Sequence, residues 1–207
     1  MSKSISGPPR SFIKLFDARS EEINTFISNQ KSIQEKILSR DGDICILISG
    51  NFELVSLELS DGFFTKEKKD IEDNILHTVN LAFKYIINKT RDGINKINLM
   101  ELLNNVPKEI QMQISQFQTE FANHLIILGK QRGSFHSEDN NINIEASGGL
   151  NILLIDISSH LLLISKREEL ESQLLLLINK IINKFQKDSL LIFEDCKNIV
   201  FNNKNSI

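Results

Sequence analysis

The side chains in this sequence that could do chemistry are few and scattered. Histidines stand at 77, 124, 136 and 160, and cysteines at 45 and 196. A protein zinc site wants His or Cys in close register, such as two histidines at i,i+4 on a helix. No pair here has that spacing, so no metal is expected. His124 falls on an apolar helical seam, where a core or interface role is expected. Two unrelated thiols, one in an expected strand and one near the C-terminus, give neither a disulfide framework nor a metal-ligand spacing. The acidic stretches "DGD" at 41–43 and "EDNN" at 138–141 offer oxygen ligands. Neither opens a twelve-residue calcium loop closed by Glu, and both read as turns. There is no GxSxG, P-loop or GxGxxG. Carboxylate pairs such as Glu168/Glu169 lie at a helix start, where the macrodipole favours them. No enzyme and no cofactor are expected.

The remaining chemistry is that of cations. Lys31, Lys36 and Arg40 lie on or after the first helix, and Lys84, Lys89 and Arg91 end the second. These six are the candidate DNA-binding residues, because Lys and Arg on a helix surface can contact phosphates without reading sequence. The alternative is a solvated face with cations near helix C-termini. Lys130, Arg132, Lys180, Lys184 and Lys187 form a similar set in the second half, among more acids. The net charge of −3 and pI of about 5.9 do not announce a polyanion binder. The charge is uneven, however. Residues 1–40 carry seven bases and four acids, 41–64 five acids and no base, and 65–98 seven bases and five acids. The second half, 99–207, is the acidic one.

These residues must be positioned by a fold, and the sequence reads as one unit written twice. "ISGNFELVSLELS" (48–60) and "ASGGLNILLIDIS" (146–158) align at an offset of 98. One inserted residue near Ile164 makes the offset 99, which matches Glu72 to Glu171 and Asn80 to Asn179. The preceding helices keep phase as well, Phe12 with Ile110, Phe16 with Ile114 and Ile23 with Phe121. Each unit reads as a long helix, a small antiparallel sheet and a second helix. In the first unit the helices are expected over about 12–39 and 66–89, with a short strand near 37–40, Thr65 as a cap and Gly93 as a breaker. In the second they are expected over 108–130, opened by Pro107, and 166–186, opened by a Ser165/Glu168 capping box. The seams at 4-3 spacing are narrow and want a partner helix. The apolar tail "LLIFEDCKNIVF" should pack somewhere.

The turn "SGNFELVSLELSDGF" followed by "EKKDIEDNILHTVNLAFKYI" resembles the YbaB/EbfC family of nucleoid-associated proteins. The resemblance rests on Gly50, Val55, Leu57, Leu59, Ile71, Glu72, Asp73, Ile75, Val79, Asn80, Ala82 and Lys84. In the second copy Gly148, Ile155, Asp156, Ile157, Leu170, Glu171, Ile178 and Asn179 match, and Ile181 departs where the first copy has Ala82. It covers about 12–92 and, more faintly, 108–187. It implies small units that pair and bind DNA, with no catalytic residue. Two fused units would make that pair from one chain.

The expected fold is α+β, two tandem units forming an intrachain pseudo-dimer: 1–98 (with 1–11 a flexible arm), a linker at 99–107, and 108–207 with its tail. The expected function is non-enzymatic, sequence-tolerant binding of double-stranded DNA. The alternative is a protein-interaction adaptor or chaperone-like module. A homodimer and a protein partner through the second unit are further expectations. The segment 1–12 has no apolar run of the secretory type, and no run is long enough to span a bilayer. A cytoplasmic, nucleoid location without membrane contact is therefore expected.

Overall fold

A computed structural model describes residues 21, 25–26, 28–30, 32–96 and 107–199. The 1–11 arm, Lys31 and most of the linker lie outside the described residues.

The repeat is visible in the strands. β1 (Gln34–Leu38), β2 (Ile44–Ser49) and β3 (Leu54–Leu59) form one antiparallel sheet in that order. β4 (Arg132–His136), β5 (Ile142–Ser147) and β6 (Asn151–Ile157) form another. Both sheets carry a register shift at the same place, between Leu47 and Ile48 and between Glu145 and Ala146. Alternation sends Ile44, Ile46, Ile48, Leu57 and Leu59 inward in the first sheet, and Ile142, Ile144, Ile155 and Ile157 in the second. All nine are buried in one apolar cluster, each contributing about 1.5–3 kcal/mol by leaving water.

The turns repeat atom for atom. Ser39 Oγ donates to Asp41 Oδ1, which also accepts from the Asp43 amide, while the Ile44 amide donates to Ser39 Oγ. Ser137, Asp139, Asn141 and Ile142 make the same three bonds. The left-handed turn residue is Gly42 (φ 79°) in one and Asn140 (φ 59°) in the other. The next turn uses Phe52 (φ 70°) and Leu150 (φ 55°), not the glycines beside them. Gly50 and Gly148 are needed for a different reason. A Cβ on Gly50 would collide with the carbonyl oxygen of Gln30, and one on Gly148 with that of Leu128. The end of each preceding helix presses directly on the hairpin.

Besides the helical residues that precede β1, three helices complete the described fold: α1 (Lys68–Lys96), α2 (Lys108–Lys130) and α3 (Arg167–Lys197). Several boundaries differ from the sequence reading. The first helix is over by Ser32, because Gln34–Leu38 pairs with β2 as a full strand. Ile37 therefore belongs to the sheet core rather than to a helical seam. α1 begins after a 3₁₀ turn at Gly62–Thr65, where Thr65 Oγ1 donates to the Gly62 carbonyl at 2.7 Å instead of capping the helix. α1 also runs through Gly93, since one glycine only weakens a helix held by packing. Ser165 lies inside a 3₁₀ turn at Ile164–Lys166, and Lys166 occupies the N-cap without a side-chain cap bond. No capping box forms.

The apolar tail continues α3 to Lys197. Phe193 packs edge-on against Phe117 (5.3 Å between centroids) and Phe121 (5.8 Å) of α2. The α2 seam thus finds its partner helix within the chain. His124 sits on that seam, its Nδ1 2.8 Å from the Glu120 carbonyl oxygen and 3.8 Å from buried Cys196 Sγ. Burial pushes the Cys196 thiol pKa up.

The halves also bind each other by matching contacts. α1 packs on β6 of the second half and α3 on β3 of the first. Asn80 accepts from the Ile152 amide (2.8 Å) and donates to the Ile152 carbonyl (2.9 Å). Asn179 does the same to Leu54, at 2.9 Å for both bonds. Glu72 accepts from the Ile157 amide at 2.8 Å, and Glu171 from the Leu59 amide at 2.7 Å. These side chains satisfy backbone groups at the open edges of both sheets, which would otherwise be free to pair with another strand.

Candidate nucleic-acid interface

The helical period sets the outer faces of α1 and α3. On α1 the exposed stripe is His77, Leu81, Lys84, Asn88 and Arg91. The matching stripe on α3, 99 residues on, is Leu176, Lys180, Asn183, Lys187 and Leu190, also exposed throughout. Each stripe therefore bears two cations seven residues apart, about 10 Å along the axis. They occupy alternate rungs: Lys84 corresponds to Asn183, and Lys180 to Leu81. Among the described residues none of these four cations is ion-paired.

The six residues singled out in the sequence do not form one patch. Lys84 and Arg91 share the α1 stripe. Lys89 is half-buried, paired with Glu35 of β1 and 6.0 Å from the centroid of the Tyr85 ring, so its charge is compensated. Lys36 belongs to β1, not to a helix. Its neighbours Glu35 and Ile37 face α1 and the core, so alternation puts Lys36 on the opposite face of the sheet. Arg40 is exposed in the β1–β2 turn. Lys31 lies outside the described residues. Lys184 of the second set is paired with Asp188 at 2.9 Å. The stripe on α3 could have been found in the sequence by carrying the α1 stripe forward by 99.

Beside Arg40, the turn acids are already occupied. Lys66 bonds Asp41 and Asp43 together, and Asn74 Nδ2 donates to Asp41 Oδ2 at 2.9 Å. The Lys66 ammonium, with Ser39, holds the Asp41 carboxyl far below the usual carboxylate range, and Lys66 lowers Asp43 as well. The two carboxylates raise Lys66 in return. In the second half Ile164 or Ser165 stands where Lys66 would fall, and Asn141 replaces Asp43. The cation and one carboxylate are lost together, leaving Asp139 held low by Ser137, the Asn141 amide and Gln173. Lys68 pairs with Asp156 (2.7 Å) and Arg167 with Asp61, both between halves.

Among the described residues no group of three or more His, Cys, Asp or Glu side chains is placed to hold a metal ion. No described helix is long and apolar enough to cross a membrane. The chain is a mixed α+β protein with two three-stranded antiparallel sheets. No protein-family model matches it, and no curated protein matches it in sequence.

Proposed function

We propose that this chain is a non-enzymatic DNA-binding protein of the nucleoid-associated kind, built as an intrachain pseudo-dimer. The observation that carries the reading is the pair of matched stripes, with Lys84 and Arg91 on α1 and Lys180 and Lys187 on α3. Exposed, unpaired cations at regular helical spacing suit phosphate contact, which fixes position without reading bases. The reciprocal Asn80/Asn179 and Glu72/Glu171 bonds support the pseudo-dimer, since each half completes the other as two identical subunits would. The test is a mobility shift on duplex DNA across a salt series, for the wild type and for K84A/R91A/K180A/K187A. Binding at low salt that the quadruple substitution weakens at least tenfold is expected. No binding by the wild type at low salt would sink the DNA reading.

A second reading, a protein-interaction adaptor, is favoured by the arm of α2 and the end of α3. Between Gln111 and Leu128 only Glu120 is charged. Met112, Ile126, Ile127, Leu190 and Leu191 are exposed there. That surface suits an apolar partner better than phosphate.

A further inference from the structure

The two sheets have four edges, and the fold closes only two of them. β3 and β6 are covered by the opposite half, through Asn179 with Glu171 and Asn80 with Glu72. The β1 and β4 edges are open. The Ser137 amide donates to the Ile142 carbonyl and the Gly148 amide to the Gln131 carbonyl, both at 2.9 Å. With the β4–β5 register, this turns the main-chain groups of Gly133 and Phe135 toward β5 and those of Arg132, Ser134 and His136 away from it. These last three residues are exposed, and among the described residues their outward amides and carbonyls have no partner. The equivalent bonds of Ser39 and Gly50 turn Gln34, Lys36 and Leu38 outward on β1.

The two open edges are guarded differently. β1 carries an exposed lysine at its centre, Lys36, a device that natural sheets use against strand addition. Gln34, Lys36, Leu38 and Arg40 include no acid, so two β1 edges would bring only cations and neutral groups together. On the helix side, Glu35 is paired with Lys89 of α1. β4 has Ser134 at its centre and Gly133 where β1 has Glu35. The Phe135 ring lies beside Gly133, where an added Cβ would meet it at 3.0 Å. Asp188 stands where Lys89 stands and pairs with Lys184 on its own helix. Among the described residues no ion pair bridges β4 and α3.

We infer that β4 of one copy pairs antiparallel with β4 of a second copy about a two-fold axis, joining two three-stranded sheets into one. The edge itself selects its occupant. Free main-chain donors and acceptors at every second residue call for an extended strand, and β4 is complementary to its own copy. With Phe135 on the axis, Ser134 faces His136 of the second copy and Arg132 faces its Glu138. The two phenyl rings meet as a close, non-hydrogen-bonded cross-strand pair. No like charges stand directly opposite in this register. Lys180 lines a cleft together with Glu138, so the association is carried by the main-chain bonds of Ser134 and His136 and not by the Arg132–Glu138 pair. The contact is isologous, so it closes at a dimer. It needs no DNA and does not rest on the DNA reading.

The test is sedimentation velocity of the full chain without DNA over a concentration series. The wild type is expected to pass from monomer to dimer and no further. S134P removes an outward amide but no β4–β5 bond, and proline is tolerated on an edge strand. With unchanged circular dichroism it is expected to dimerise at least tenfold more weakly. Q34P makes the same change on the β1 edge and is expected to dimerise like the wild type. A second measurement does not depend on S134P folding. S134C and H136C chains are mixed and oxidised, since these positions face each other across the axis at about 5.5 Å between Cα atoms, within disulfide reach. Disulfide-linked dimers containing one chain of each kind are expected to outnumber self-linked dimers of either, as read by mass spectrometry. A wild type that stays monomeric, an S134P chain that dimerises like the wild type, loss of the dimer in Q34P, or a mixture dominated by self-linked dimers would each overturn the inference.

Discussion

Asn80 and Asn179, 99 positions apart, each bracket the backbone of one edge-strand residue in the opposite half, Ile152 and Leu54 respectively. Replacing either with Ala removes two hydrogen bonds and leaves an amide and a carbonyl unpaired, at a cost of about 2 kcal/mol. N80A and N179A should lower the urea midpoint by similar amounts, read by circular dichroism. A large loss for one and none for the other would show that the two contacts are not equivalent.

The same reciprocity predicts that the halves hold together without a covalent link. Fragments 1–98 and 108–207, co-expressed, should co-elute on size exclusion under native conditions. Each fragment isolated in urea should refold poorly alone and regain ellipticity when mixed, because each lacks the helix that covers its edge strand.

The hairpin glycines give a graded test. G50A and G148A each force a Cβ into a helix carbonyl, so each should destabilise by about 1–3 kcal/mol. At Gly42 nothing lies within 4 Å of a Cβ and only the positive φ is strained. G42A should cost less, about 1 kcal/mol. Thermal unfolding of the three variants checks the order.

Acid sensitivity follows from Asp41 and Asp139. Both folded pKa values are depressed, Asp41 chiefly by Lys66 and Asp139 chiefly by the Ser137 hydroxyl. A depressed folded pKa contributes stability that is complete above the unfolded pKa, about 3.9, and is lost as pH falls below it. The thermal midpoint should therefore drop below about pH 4, and D41N and D139N should each flatten that fall. An unchanged acid limb in both variants would contradict the assignment.

If the stripes contact phosphates, K84A/R91A should reduce the slope of log binding constant against log salt by about 2 units. K89A should change it little, since Lys89 is paired with Glu35. A slope insensitive to the first pair and sensitive to the second would relocate the contact to the β1 side.

Much of this was legible in the sequence, for identifiable reasons. Period-2 alternation at "ICILIS" and its echo located the strands, because a one-residue slip would turn every isoleucine outward. The 98-residue offset survives into the turn bonds of Ser39 and Ser137. The limits of the helices were less legible. "QEKIL" has no strong strand pattern, and only β2 beside it makes it β1. Thr65 and Ser165 satisfy the composition of a cap, yet the preceding 3₁₀ turns hold them elsewhere.

The candidate surface divides the same way. Sequence alone determined which cations exist and which helical rungs they share, because a 3.6-residue period fixes Lys84 and Arg91 on one stripe. It also carries the alternating pattern of apolar residues twice, which locates the two three-stranded sheets. Only the tertiary structure decided that Lys89 is neutralised by Glu35, that Lys36 faces away from α1, and that Asn80 and Asn179 serve the opposite half. Those outcomes depend on residues 54, 72 and 125 positions apart meeting in space, and no local pattern records which distant partner a side chain will reach.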